Sequence, residues 1–187
     1  MIITALTLTT ILGILIILCS SSIVIVGQNE VKIVTRFGKY RKILSTGLNF
    51  KTPLIDRIFS KISLQNRANE VSFQAVTKDQ ANVYFKTTII YSVLDSQPET
   101  IKNVAFKFRS DEEFNMALLR SIESSIRGFV ATKKQEEVLL LRNEIITHVK
   151  EELDDQLNQW GYHLQNLQIN DITFDKVIMD SMAQVVA

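Results

Sequence analysis

The sequence has one cysteine, two histidines, two prolines and six glycines in 187 residues, and no charged side chain from Met1 to Asn29. A lone thiol, Cys19, cannot build a disulfide framework or a cysteine-based metal site; it suits either a small apolar position in a membrane helix or acylation near lipid headgroups. His148 and His163 have no second ligand at metal-site spacing, so no metal site is expected. The glycines stand apart at 13, 27, 38, 47, 128 and 161. That spacing excludes a phosphate-cradling P-loop and a dinucleotide fingerprint, and no serine occupies a Gly-x-Ser-x-Gly elbow. Internal repeats, low-complexity tracts and long flexible linkers are missing too. No catalytic residue and no cofactor is expected.

Ile, Leu and Val dominate residues 2–26 in place of charge. A stretch of about twenty apolar residues is what a helix needs to cross the bilayer core, so residues 1–26 read as a transmembrane anchor. A cleaved secretory signal fits less well, because no Lys or Arg precedes Lys32 and the apolar run exceeds the usual core of such a signal. A lipoprotein site fits less well again, since Leu18 stands before Cys19.

Residues 30–70 hold nine bases (Lys32, Arg36, Lys39, Arg41, Lys42, Lys51, Arg57, Lys61, Arg67) against three acids, a local balance of +6. From Val71 onward the balance is −5. Bases directly behind a span favour retention on the cytoplasmic side and attraction to anionic headgroups. The expectation is therefore a single-pass membrane protein with Glu30 to Ala187 in the cytoplasm. Lys32, Arg36, Lys39, Arg41 and Lys42 are its headgroup contacts. Basic charge placed against a membrane argues against a nucleic-acid partner.

Behind the anchor the hydrophobic period becomes two. Val31, Ile33 and Thr35 face one way and Lys32, Val34 and Arg36 the other, as in a half-buried strand. Phe37-Gly38-Lys39 and Ser45-Thr46-Gly47 read as turns. Val71 to Val76 and Ala81 to Val93 read as strands joined at Thr77-Lys78-Asp79, the second rich in the β-branched and aromatic residues that suit a pleated surface. Pro98 suits the first turn of a short helix running to about Phe108. Ser110 with Glu113 forms a capping-box pattern ahead of Phe114, Leu118, Ile122 and Ile126. Thr132 with Gln135 offers a second such box. One continuous helix is expected from Lys134 to Trp160, on the stripe Val138, Leu141, Ile145, Val149, Leu153, Leu157 and Trp160. Gly161 would end it in a left-handed conformation. Tyr162 to Thr173 reads as a last strand, and Asp175 as the cap of a terminal helix. The helix near Asp111 has a second face made of Ala117, Ser121, Ser124 and Gly128, small residues that permit close approach of another element. The carboxylates at 111–113 and at 151, 152, 154 and 155 suit a helix start and a solvated face.

Certain residues in this order carry a resemblance. Val34-Thr35-Arg36-Phe37-Gly38-Lys39-Tyr40 is followed by Gly47-Leu48-Asn49-Phe50, Pro53 and Asp56-Arg57. Thr77-Lys78-Asp79-Gln80-Ala81-Asn82-Val83 turns into the long strand, with Tyr91 and Asp95 beyond. Leu119-Arg120, Ile126-Arg127, Trp160-Gly161-Tyr162 and Ile169-Asn170-Asp171-Ile172 complete the set. Residues 24 to 187 so resemble the SPFH (band-seven, stomatin/prohibitin) proteins, with the stomatin, QmcA and hypersensitive-induced-reaction branch nearer than HflK and HflC. Two departures are Thr46, where proline often precedes the glycine, and the long coiled coil expected after Met182, for which the chain has no residues beyond Ala187.

The resemblance implies an α+β fold in which the transmembrane helix is followed by a two-part SPFH domain. The parts would be a β-rich subdomain at 27–95, an α/β subdomain at 96–174 and the start of a C-terminal helix at 175–187. It implies many copies, of this chain alone or with a paralogue, joined into a ring or cage on membrane lipids, without catalytic residues. The first functional reading is an oligomeric scaffold organising lipid and protein microdomains. The second is a regulator that encloses or restrains a membrane-anchored AAA protease of the FtsH type. The third is a non-catalytic subunit of an enzyme or transporter.

Overall fold

The computed structural model describes residues 2–174, so the expected terminal helix at 175–187 lies outside the described residues. The fold is α+β. It divides into two compact units, with the boundary between Gln65 and Asn66.

In the first unit, helix α1 (Ile2–Ser22) leads into strand β1 (Ile23–Val26). The expected anchor ran on to Val26, but Ile23-Val24-Ile25-Val26 is wholly β-branched. It pairs antiparallel with β4 (Gly47–Phe50), Ile23 opposite Phe50 and Ile25 opposite Leu48. The transmembrane expectation is overturned: among the described residues no helix is long and apolar enough to cross a membrane. The sequence of α1 spreads threonine through its first ten residues and closes on Cys19 and Ser20 to Ser22. Its longest run without a polar side chain is therefore 11–18, where a crossing needs about twenty apolar residues. The single-pass location and the cytoplasmic sidedness drawn from that anchor fall with it.

Strand β2 (Glu30–Arg36) is the centre of a three-stranded antiparallel sheet, between β3 (Lys39–Leu44) and β5 (Asp56–Ser63). Alternation fails at one place. Val34, expected on the open face, is fully buried beside Thr35, where both pairings of β2 shift register. It joins Val24, Val26 and Leu44 in a small core, because β1 brings its inward valines over that face of the sheet.

The second unit is a three-stranded antiparallel sheet, ordered β6 (Arg67–Val76), β7 (Asn82–Val93), β8 (Tyr162–Phe174), with four helices between β7 and β8 in sequence. Val83, Phe85, Thr87, Ile89, Tyr91 and Val93 are all buried, as period two requires. Helices α2 (Pro98–Phe106) and α3 (Asp111–Val130) begin where Pro98 and Ser110 indicate. The Ser110 hydroxyl accepts from the Glu113 amide, while the Glu113 carboxylate reaches back to the Arg109 amide. Phe114, Leu118, Ile122 and Ile126 are buried along α3. The unit's one sheet holds both β7 and the returning β8, so the strand ending at Val93 belongs with the helices and not with the strands before Gln65.

The expected single helix from 134 to 160 is two: α4 (Gln135–Leu140) and α5 (Arg142–Trp160), separated by Leu141 at φ −89°, ψ 16°. The apolar stripe keeps its phase across the junction, with Val138 and Ile145 both fully buried. Leu141 still donates to the Glu137 carbonyl and its own carbonyl still accepts from Ile145. A one-residue distortion that preserves both periodicity and bonding leaves no mark in the hydrophobic pattern. Nor does the Thr132 and Gln135 box form. The Thr132 hydroxyl donates to the Phe129 carbonyl, and the residue that caps α4 is Lys134, whose amide donates to the Glu137 carboxylate.

Candidate functional site

Two places stand out, one in each unit. In the first unit, the β2–β3 hairpin turns on Phe37 and Gly38, both at positive φ (49° and 80°). Two successive left-handed residues make the tight turn whose twist matches a strand pair. Glycine adopts it freely, whereas a phenylalanine held there is unusual. Its side chain is 85% exposed. Leu54, at φ 68°, is 89% exposed in the turn before β5. Together with Thr35, Gly38, Ile55 and Arg57, these two line a cleft of about 320 Å³, so the two apolar tips are neighbours.

Asp56 holds that pair of turns together. Its side chain is only 1% exposed and accepts from Arg36 Nε (2.8 Å), Arg41 Nη1 (3.0 Å) and the Thr52 amide (2.8 Å). Arg36 Nη2 also donates to the Thr52 hydroxyl at 2.9 Å. Arg36 directly precedes Phe37, and Thr52 and Asp56 bracket Leu54, so one carboxylate fixes both tips. Burial alone would push the Asp56 carboxyl up. The Thr52 amide, the Arg36 guanidinium and the Thr52 hydroxyl outweigh it and hold the group below its usual 3.8. A folded-state pKa below the unfolded one gives stability that is present above the unfolded value and is lost as pH falls through the folded one. The segment 36–57 is therefore expected to open in acid below about pH 3.8. In Asp56→Asn it should exchange amide hydrogens faster at neutral pH and show little further change in acid; hydrogen exchange from pH 7 to 2.5 checks both.

Of the five expected headgroup cations, four make bonds inside the unit. Lys32 Nζ donates to the Ile25 carbonyl (2.9 Å) and Lys42 Nζ to the Phe50 carbonyl (2.5 Å), tying down β1 and β4; Arg36 and Arg41 hold Asp56. Lys39 is exposed beside Gly38. The β1–β4 ribbon adds exposed Ile23, Ile25, Leu48 and Phe50 on its outer face, and α1 exposes Leu8, Ile11, Leu12, Leu15, Ile16 and Ile17. Sequence reasoning missed Phe37 and Leu54. The signal available was a bulky residue directly before a turn glycine, Phe37-Gly38, which period-two reading assigns simply to a turn.

In the second unit, Thr77-Lys78-Asp79 acts as a joint. Thr77 is buried; its hydroxyl lies 2.5 Å from Asp79 Oδ1 and accepts from the Ala81 amide at 3.0 Å. Asp79 Oδ1 also accepts from the Gln135 amide (3.2 Å), and the Lys78 amide donates to the Lys133 carbonyl (2.8 Å), so the strand turn caps helix α4. The Thr77 hydroxyl leads the causes that hold the Asp79 carboxyl below its usual value. An aromatic cluster of Tyr91, Phe108, Phe114, Trp160 and Tyr162 closes the far end of the helices, and burial raises the Tyr162 phenol to about 12. Both features are structural.

Three residues of the small-residue face of α3 border a cleft. Ser121, Ser124 and Gly128 line one wall of a cleft of about 660 Å³, with Arg120 and Ser125, and His148, Glu152, Leu153 and Gln156 of α5 line the other. Ala117 lies outside it; its carbonyl accepts from the Ser121 hydroxyl. His163 stands apart, 3.5 Å from Asp154.

Residues 24–187 match the SPFH domain / Band 7 family. The chain is 26% identical to an uncharacterized protein of Methanocaldococcus jannaschii over 87% of its own length and 78% of that protein's. It is 26% identical to an uncharacterized protein of Methanothermobacter thermautotrophicus over 91% of its own length and 51% of that protein's. A protein of Acanthamoeba polyphaga mimivirus, named as a band 7 family protein, is 19% identical over 82% of this chain and 48% of that one. The chain thus spans about half the length of the second and third of these relatives.

Proposed function

The chain belongs to the SPFH / band 7 family, whose members are generally membrane scaffolds and generally not enzymes, and from that premise we propose that it is a multi-copy scaffold which docks on a lipid surface through the apolar tips of its first unit. The observation that carries this reading is the clamped pair Phe37 and Leu54. Two large apolar side chains are held outward at positive φ by a buried carboxylate, next to exposed Lys39 and Arg57. Folding alone gives no reason to fix a phenylalanine in that conformation and leave it in water. A membrane interface does: apolar tips enter the acyl boundary while bases meet anionic headgroups.

Magnitudes favour many copies. Burying two such side chains contributes about 1.5–3 kcal/mol each, which by itself gives attachment between roughly 10 mM and some tens of μM. Copies joined side by side convert that weak contact into stable residence, because each further attachment is intramolecular. Floating the full chain on a density gradient with vesicles of phosphatidylcholine, with and without phosphatidylserine, tests the reading. It should float with both, more strongly with phosphatidylserine, and stay bound in 1 M salt, where charge attraction is screened to about 3 Å. Failure to float with either vesicle, or complete release by salt, would contradict it.

A further inference from the structure

The cleft between α3 and α5 lies in the second unit, and the lipid-docking reading makes no use of it. Its lining points to a ligand of its own. Ser125 is 8% exposed, and its hydroxyl has no hydrogen-bond partner among the described residues, although a buried hydroxyl normally finds one. It lies on the cleft wall beside Ser121 and Ser124. A side chain built on Gly128 would meet nothing within 4 Å, so the groove is empty there as well.

The charges tell the same story. Arg120 on one wall has no hydrogen bond or ion pair among the described residues. Glu152 on the other meets only His148 Nε2, at 3.6 Å, beyond hydrogen-bond range. Opposite charges sharing one cleft without pairing with each other leave a cation and an anion for an incoming group to satisfy. From 120 to 128 on α3, and from 148 to 156 on α5, each wall spans nine residues, roughly 12 Å of helix. An extended chain covers that distance in about four residues. The one ring on its walls, the His148 imidazole, is already packed 5.2 Å from Phe129, and the hydroxyl, carboxamide, carboxylate and guanidinium groups around it match the alternating donors and acceptors of a polypeptide backbone.

We infer that the α3–α5 cleft is a docking groove for an extended polar peptide segment of about four residues, carrying an acidic side chain for Arg120 and a basic one for Glu152. Its occupant is a segment of another protein, which gives the scaffold a means of holding a client independently of lipid.

Fluorescence anisotropy of the full chain with labelled, end-blocked tetrapeptides containing one Glu and one Lys is the test, with tetra-alanine as the control probe. The charged peptides should bind at least about tenfold more tightly than tetra-alanine, as a charge-assisted hydrogen bond provides. Arg120→Glu should weaken them by a similar factor and improve binding of a peptide whose Glu is replaced by Lys. Gly128→Leu fills the groove from a position with free space and a better helix former, so it should abolish binding without lowering Tm. Ser125→Val removes the unpartnered hydroxyl and should weaken binding with Tm unchanged or higher, a second variant for the case that leucine disturbs the fold. No peptide response up to millimolar concentration, or unchanged affinity in both Gly128→Leu and Ser125→Val, overturns the assignment. Lipid flotation of these variants should equal that of the parent chain, so failure of the groove and failure of the lipid-docking reading register separately.

Discussion

Replacing Phe37 and Leu54 together by asparagine is expected to lower the affinity of the chain for vesicles by about 100-fold or more, while leaving its Tm unchanged or slightly raised. The first figure follows from losing two apolar transfers of about 1.5–3 kcal/mol each, at 1.4 kcal/mol per factor of ten. The second follows from backbone geometry. Both residues sit at positive φ, and asparagine is several-fold enriched there because its short side chain tolerates the left-handed region. The substitution thus removes the lipid contact and relieves the turns at once. A merely structural role for the two side chains would give the opposite pair of results, with stability lost and lipid affinity kept. Vesicle titration by flotation, alongside a thermal melt, reads both.

Gly161→Ala should cost the second unit about 2–5 kcal/mol, from roughly 1–2 for a left-handed alanine and 1–3 for overpacking. Gly161 ends α5 at φ 88°, and a Cβ placed on it would lie 2.7 Å from the Thr100 carbonyl oxygen and 2.8 Å from Val104 Cγ2. Neither neighbour yields easily: the first is backbone of α2, and the second is a branched side chain on the same helix. The Gly161 carbonyl also accepts from the Leu94 amide, tying the start of β8 to the end of β7. A fall in Tm of about 10 °C or more is expected. Gly128→Ala is the control, since it meets nothing within 4 Å and should stabilise α3 by up to about 1 kcal/mol.

The elements of the second unit could be read from local chemistry because their causes are local. Period two in Val83 to Val93, the Ser110 cap and the left-handed Gly161 all act within a few residues of themselves. What escaped reading depends on distant partners. The amide that starts α4 is served by Asp79, fifty-six residues earlier in the chain, so the nearer Thr132 drew the expectation instead. Val34 looks outward until β1 covers it. Ile23 to Val26 extends an apolar run in sequence, and only its pairing with Gly47 to Phe50 reveals a strand. The boundary after Gln65 carries no Pro, Gly or linker composition, so nothing local marks it.

The candidate sites follow the same division. The basic cluster was visible as composition, but Arg36 and Arg41 serve the Asp56 clamp, and only the folded hairpins show that the clamp presents Phe37 and Leu54. The small face of α3 was visible as spacing. Its opposite wall, His148, Glu152 and Gln156, comes from a helix whose packing partner the stripe of apolar residues does not name.

The most direct measurement is the depth of position 37 in a bilayer. With Phe37→Trp in a Trp160→Phe background, the introduced indole is the only tryptophan of the chain. Its fluorescence can be recorded on vesicles of lipids brominated at successive acyl positions. Strong quenching by bromines nearest the headgroup, with a blue-shifted emission and weaker quenching by deeper ones, is the expected result. An emission that stays at its aqueous wavelength and is quenched by none of these lipids, while the protein floats with the vesicles, would contradict docking through these tips.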